Sequence, residues 1–598
     1  MAIKIFQKIS RLEIASFAPD KNKFLSAGSL AILKNHWVAI LLAFILGLLM
    51  VWPFFYFQSA LGPEYRGVLN EIIDDELFYM ARIKDILDGH PFLGNAYLFE
   101  HKNQLPQQLF LPEWLLAQPL KFFNLDVVQG RILYNFILPT FAFILTYFAF
   151  YLIYPSRFWA GLFAVFLFFG LYLFKFTRPV IPQFVFLFWL THFIFLWKLI
   201  ESKSFDILEY QSIFKNKILL MSILNFGLLF YIYPFYWTFY LVFLVVLSFL
   251  FFFREKILSN KFLTVLLGGL LIGSVYFYLN FLASQLPEYR ETLTRLQLVF
   301  SRSPSGFKIV LFSLAVLAIF GILLKLKSIR LDKETLFFLA GIFSIIVVTN
   351  QNILTGRKFE FSSHYYMLAV FFLVFAVYYL FSKFKDRLFR FGPLILLVAA
   401  FSVFNGVSGF LASAVKVSDQ NVYAQNYKAI FDWLNENTPK DSVVYAYNNL
   451  SELIPVYTAN NVFYSRAANL FLMPDSEVKE RFILNNFFEK FDRDFVIKNE
   501  RSIWGVRYID RYGDAAQANK WRRLIGLKLK DETRLPEEEI NKILVEVSKV
   551  QKNSFTERFK KYKADYFVWD RIKNPDWLIP DSFEKIYETN QFAIFEFN

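Results

Sequence analysis

Three consecutive acids, Asp74, Asp75 and Glu76, open the stretch EIIDDELFYMARIKDILDGHPFLGN, which runs from Glu71 to Asn95 and also carries Tyr79 and Arg82. Adjacent carboxylates raise one another's pKa through like-charge repulsion, which tunes one of them as a proton acceptor. They follow an apolar run, Trp37 to Phe57, long enough at roughly 20 residues per span to cross a bilayer. Carboxylates at the exit of a span are costly to keep near hydrocarbon and mark a functional site by default. The pattern points to chemistry at the outer membrane–water interface. The plainer alternative is a solvated, negative helix start, favourable against the helix dipole. Arg82 would then pair with Asp85 on its own helix.

The elements that position these groups follow from periodicity. Ile72, Ile73, Leu77, Met80, Ala81, Ile83, Ile86 and Leu87 recur at helical spacing, and Asp88-Gly89-His90-Pro91 ends the pattern. A second amphipathic piece, Pro112 to Phe123, carries Trp114 and Lys121. The two predict a pair of interfacial helices, a shelf on which a lipid headgroup is held.

Composition places the rest of the chain in a bilayer. Of 598 residues 56% are hydrophobic and 20% aromatic, with mean hydropathy +0.39, above the roughly 45–50% apolar content of soluble domains. Phe occurs 78 times, which suits lipid-facing helices. With no cysteine there is neither a disulfide, a thiolate metal site nor a cysteine nucleophile. Hydropathy predicts about eleven spans, at 36–57, 131–154, 158–174, 181–199, 217–233, 236–253, 262–282, 307–324, 335–349, 364–381 and 391–412.

The net charge of +14 is a topology signal and not a nucleic-acid footprint. Lys4, Lys8, Arg11, Lys203, Arg254, Lys325, Arg330, Lys383 and Arg390 all fall in connections on the amino-terminal side. The positive-inside bias puts that side in the cytoplasm. The first apolar run lies behind a polar, basic segment and reads as a retained anchor, not a cleaved signal. The expected order is a cytoplasmic segment 1–35, a membrane domain 36–415 with a first external loop 58–130, and an external domain 416–598.

That last part has soluble composition. Tyr423–Asn437, Pro474–Phe491 and Glu537–Val550 read as helices. Ser442–Tyr447, Ala564–Trp569, Phe583–Tyr587 and Phe592–Phe597 read as strands, the last two a hairpin about Thr589-Asn590-Gln591. An α/β domain follows. It has no Gly-rich phosphate loop, paired His ligands or Ser-His-Asp cue, which gives it an accessory role.

Asp75-Glu76-Leu77-Phe78-Tyr79 is similar to the Asp-Glu-x-x-Tyr pattern of the protein mannosyltransferase and aminoarabinose transferase branch of the GT-C membrane glycosyltransferases. The segment from Tyr427 to Ser442 resembles the helix-to-strand opening of many of their external domains. The resemblance implies a polytopic helical fold with an acidic motif in the first external loop. It implies transfer of a sugar from a polyprenyl-phosphate donor to an acceptor hydroxyl on a protein, lipid or glycan, with inversion at the anomeric carbon. Asp75 is then the leading general base and Asp74 the second, while Arg178, Arg357 and Arg82 are candidates to bind the donor phosphate. Glu76, Tyr79 and His364 are candidates for the substrate site. The oligosaccharyltransferase WWDYG-type motif is absent, and the connection Phe174–Gln183 holds no acid. Neither a metal nor another cofactor is therefore expected.

The chemistry agrees with these residue types. A base must take the acceptor's proton, and positive charge must meet the departing phosphate, a task suited to the planar fork of arginine. Interfacial snorkelling is an equal account of Arg178 and Arg357. Rival functions are a transporter, an envelope glycan polymerase or ligase, and a noncatalytic assembly factor. A transporter calls for charges at mid-membrane depth and broken helices in matching halves, a pattern the spans do not show. The orientation is testable because the native chain has no thiol. A cysteine introduced at Ser582 reacts with an impermeant thiol reagent on intact cells and one at Ser328 does not; the reverse pattern overturns the external placement.

Overall fold

The computed structural model describes residues 29–597 apart from 74, 93, 107–109, 203–215, 297–298, 359–361, 553–554 and 581–582. Asp74, the second candidate base, and nearly all of the amino-terminal segment 1–35 lie outside the described residues. Among those described, nine helices are long and apolar enough to cross a membrane. Two expected spans, 158–174 and 217–233, fall instead on shorter apolar helices, Arg157–Tyr172 and Lys217–Ile232.

The first long helix, α1 (Ser29–Leu61), is followed by a connection containing α2 (Glu76–Leu87) and α3 (Leu111–Phe123). Then comes α4 (Val127–Ile153), whose start is fixed by Asp126 in a reciprocal cap with Gln129. The bundle turns phenylalanine inward as well as outward. Phe193, Phe337, Phe371, Phe372 and Phe375 are fully buried, with Phe186 on Phe371 and Phe193 on Phe375 at 4.6 Å between ring centres. The abundance of Phe is thus only partly a lipid-facing feature. Edge and stacked aromatic contacts supply interhelix specificity that a uniformly apolar solvent cannot.

The basic connections gather at one end of the bundle. Lys333 meets Glu255 at 2.9 Å, and Lys383 meets Glu334 at 3.1 Å. The helix Tyr366–Lys383 carries Lys383 at that end and follows His364 at the other. At the His364 end stand the α1–α4 connection and the domain after the last long apolar helix, which ends at Ala414.

A two-residue ribbon pairs β1 (Val299–Phe300) with β2 (Arg357–Lys358). The carboxy-terminal domain is built on β3 (Val443–Tyr445), β4 (Asn461–Val462), β5 (Tyr566–Asp570), β6 (Phe583–Glu588) and β7 (Phe592–Phe597), in the order β4-β3-β5-β7-β6. β3 runs parallel to β4 and β5, and the expected β6–β7 hairpin closes the far edge antiparallel. Helices Asp475–Asn485 and Glu537–Gln551 match two expected ones. Helix Asn449–Tyr457, with Pro455 inside it, was not legible as one.

This domain is not an appendage. Leu77, Phe78 and Ile83 of α2 share one continuous core with Ile430, Leu453, Val462 and Ile594 of the domain. The expected interfacial shelf is therefore half corrected: α2 is sandwiched between protein layers, with nine residues buried. α3 does leave apolar side chains uncovered, Phe122 being 82% exposed.

A second tie comes from helix Tyr289–Leu296, between two long apolar helices. The buried Arg295 guanidinium donates to the carbonyls of Asn469, Phe471 and Met473 and pairs with Asp475 at 2.6 Å. Gly505 has φ +62°, and a side chain there would strike the Arg295 carbonyl, so glycine is required. Arg295→Leu strands these acceptors and is expected to cost about 3–5 kcal/mol. Thermal unfolding in detergent, followed by tryptophan fluorescence, checks it; a shift within error would mean that the apolar core alone docks the domain.

Candidate functional site

Asp75 sits at the mouth of the site, in the residue before α2, with φ +70°. Aspartate is among the few non-glycine residues that tolerate that left-handed region. Its carboxylate makes no helix-capping hydrogen bond. It turns instead to Arg178, whose Nη1 lies 2.8 Å from Oδ2, and it remains 53% exposed against 20% for the arginine. A helix cap therefore does not explain Asp75.

Arg178 stands where the chain enters the helical stretch Pro179–Phe184, so its backbone is fixed by a proline on its carboxyl side. Its guanidinium is 5.9 Å from the Tyr79 ring centre. Burial pushes the Tyr79 hydroxyl up, with Arg178 opposing, and Tyr79 stays neutral and able to donate. His364 lies within electrostatic reach of both Arg178 and Asp75; its Nδ1 is 2.5 Å from the Tyr233 hydroxyl and its ring stacks on Phe235. The structure thus brings Asp75, Tyr79, Arg178 and His364 together from three separate parts of the sequence. A narrow cleft beneath them is lined by Glu76, Tyr79, Arg131, Tyr134 and Arg178.

Of the remaining candidates, Glu76 lines that cleft and the two other arginines have their described contacts elsewhere. Glu76 is buried and ion-paired to Arg131 at the start of α4 while accepting the Ile72 amide at 2.9 Å. Burial pushes its carboxyl up, against the pull of Arg131. Arg82 is 1% exposed, pairs with Glu113 of α3 at 2.8 Å and lies over the rings of Phe78 and Phe471. The described pairing therefore runs across to α3, and the guanidinium is buried. Arg357 is on β2 with its guanidinium over Phe300, and no described contact joins it to Asp75 or Arg178. Sequence reasoning missed Arg131, although a buried cation near the start of an apolar helix is itself a signal.

The far end of α2 is fixed by charge as well. Lys102 reaches Asp85 at 3.1 Å and also pairs with Asp441, which His90 approaches at 3.2 Å. Among the described residues no group of three or more His, Asp or Glu is placed to hold a metal ion. A comparison of the chain with family models and with curated proteins finds no match.

The Asp85 cluster has a definite pH signature. Burial pushes Asp85 up from 3.8 to about 6 despite Lys102 and His90. A folded pKa above the unfolded one means the folded chain binds the proton more tightly, so this contribution is complete below pH 3.8 and lost as pH rises through about 6. Asp441 works oppositely: against its own burial, Lys102 and His90 hold it low, so its contribution is lost as pH falls through its folded value. Asp85→Asn removes only the first effect. The unfolding midpoint of the variant minus that of the parent should therefore rise from pH 4.5 to pH 7.5; a flat or falling difference means that the pairing with Lys102 outweighs burial.

Proposed function

We propose that this chain is a membrane transferase that moves a sugar at the bilayer surface. More narrowly, it is a glycosyltransferase of GT-C type that uses a polyprenyl-phosphate sugar on the external face of the cell membrane. The observation that carries this reading is the half-exposed Asp75 carboxylate paired to Arg178 at the end of an apolar helix bundle. An acid and an arginine held together there match the two charges the reaction needs, a proton acceptor and a phosphate partner.

Without substrate the two groups neutralise each other. A donor phosphate competes for the Arg178 fork, which forms two parallel hydrogen bonds with it, and Asp75 is released to the acceptor. The acceptor hydroxyl then attacks the anomeric carbon from the side opposite the phosphate. Its proton passes to the Asp75 carboxylate, the new carbon–oxygen bond forms, and the old one breaks with its electron pair leaving on the polyprenyl phosphate. The result is inversion. Tyr79 and His364 border the reacting groups and orient them, while the bundle offers the polyprenyl chain an apolar flank, as exposed Phe141 and Phe174 illustrate.

General-base catalysis is worth roughly 10²–10⁴-fold, and Asp75→Asn should reduce turnover by that order with donor binding largely kept. Arg178→Ala should weaken donor binding, and Arg357→Ala should have a smaller effect. Rates and binding are measured separately on detergent-purified protein with a synthetic polyprenyl-phosphate sugar. Parental turnover in both Asp75→Asn and Asp74→Asn would remove the main support for this reading.

A further inference from the structure

The carboxy-terminal domain contains a cavity of about 630 Å³ that the preceding mechanism leaves unused. Its wall includes the start of helix Asn449–Tyr457 and the segment that follows Phe482. The lining is unusual in its carboxamides. Asn486 and Asn499 donate their side-chain amides to the Phe482 and Phe495 carbonyls at 2.7 and 3.0 Å, which sets the planes of both groups. Asn485 is 3% exposed, and among the described residues its Oδ1 has no hydrogen-bond partner. A buried acceptor left without a donor costs about 1–3 kcal/mol, and this one belongs to a residue that lines the cavity.

Backbone strain marks the same place. Asn448, at the rim, has φ 53° and ψ −135°, a region sparsely used by residues with a side chain and found mainly at functional sites. Tyr447 and Phe482 add aromatic surface, and Tyr447 is braced by Trp577 at 5.1 Å. Charges around the cavity balance, Glu452 and Asp419 against Arg466 and Lys573. Glu452 is already engaged, accepting from the Ser465 hydroxyl and the Arg466 amide at 2.8 and 2.9 Å.

Each part selects for the same chemistry. A carboxamide offers a donor and an acceptor side by side, which pairs with neighbouring hydroxyls. Aromatic faces take the C–H face of a sugar ring, and balanced charge favours a neutral molecule. The location adds direction: helix Asn449–Tyr457 packs on α2, and Tyr97 lies within electrostatic reach of both Glu452 and Asp75.

We infer that this cavity is a glycan-binding site that holds the acceptor, so that, on the glycosyltransferase reading, the acceptor is itself a neutral oligosaccharide. The test is equilibrium binding of the full chain in detergent to soluble tetrasaccharides of glucose, mannose, galactose and N-acetylglucosamine. At least one should bind saturably, and binding should weaken about tenfold or more in Asn485→Leu and Asn449→Ala, the loss of one well-placed hydrogen bond. It should persist in Asp75→Asn. Asn449→Ala, at a half-buried helix start, carries the test if Asn485→Leu does not fold. No binding by any of the four, or binding unchanged in the folded variants, overturns the site. Glycan binding without sugar transfer would sink the glycosyltransferase reading alone; transfer that needs Asp75 but ignores the cavity variants would sink the site alone.

Discussion

The structure depends on the burial of charge along α2. Glu76, Arg82 and Asp85 lie on one short helix, and all three are buried. An unpaired buried charge costs several kcal/mol, and breaking a buried pair by removing one partner costs about 3–5 kcal/mol. Each therefore has to be met, and each is met by a different element: Glu76 by Arg131 of α4, Arg82 by Glu113 of α3, and Asp85 by Lys102. Lys102 is shared with Asp441 of the carboxy-terminal domain. A turn of α2, or a slide by one residue, would uncover all three at once. The helix is pinned in rotation and translation by these pairs together with its buried apolar face.

That pinning is what gives Asp75 its geometry. It is the one acid of the series described that keeps solvent access, and it sits immediately before the fixed helix in a left-handed conformation. Its partner Arg178 comes from a separate connection of the bundle. The pair is thus held by two rigid supports, a charge-locked helix and a proline-bounded turn, with little loop flexibility between them. On the proposed reading, rigid support of this kind is what a proton acceptor needs, since misplacement of about 1 Å can cost 10²-fold in rate.

How much of this was legible in the sequence depended on whether the signal was local. The long apolar helices and the β6–β7 hairpin announce themselves through runs and alternation, which any window of residues reveals. The helical repeat of α2 was equally plain, but its surroundings were not. An amphipathic helix beside a membrane has the same pattern whether its apolar face meets lipid or another domain, and only the distant residues Leu453 and Val462 decide for the latter. Arg82 was open to misreading for the same reason: Glu113, which it meets at 2.8 Å, is 31 residues away. Periodicity offers Asp85 at i+3 and is silent about the rest. Asp75 with Arg178, 103 residues apart, could be nominated from residue type but not joined. The carboxamide cavity left no trace, because asparagine in loops reads as turn chemistry wherever it occurs.

The arrangement also bears on why the carboxy-terminal domain and the bundle share a core in place of a linker. On the proposed reading the donor arrives along the bilayer and the acceptor from solvent, so two sites of opposite character have to meet at one carboxylate. A flexible tether would let the acceptor site wander, and the entropy of ordering it would return with every turnover. Here helix Asn449–Tyr457 offers the start of its first turn to the cavity and packs its apolar side on α2. Arg295, from the connection between two later apolar helices, fixes the same domain by holding the carbonyls of Asn469, Phe471 and Met473. With both attachments in place, the distance from cavity to Asp75 is set by packed protein. Acceptor length then becomes a property the fold can measure: a glycan too short to span from the carboxamides to Asp75 would bind without reacting.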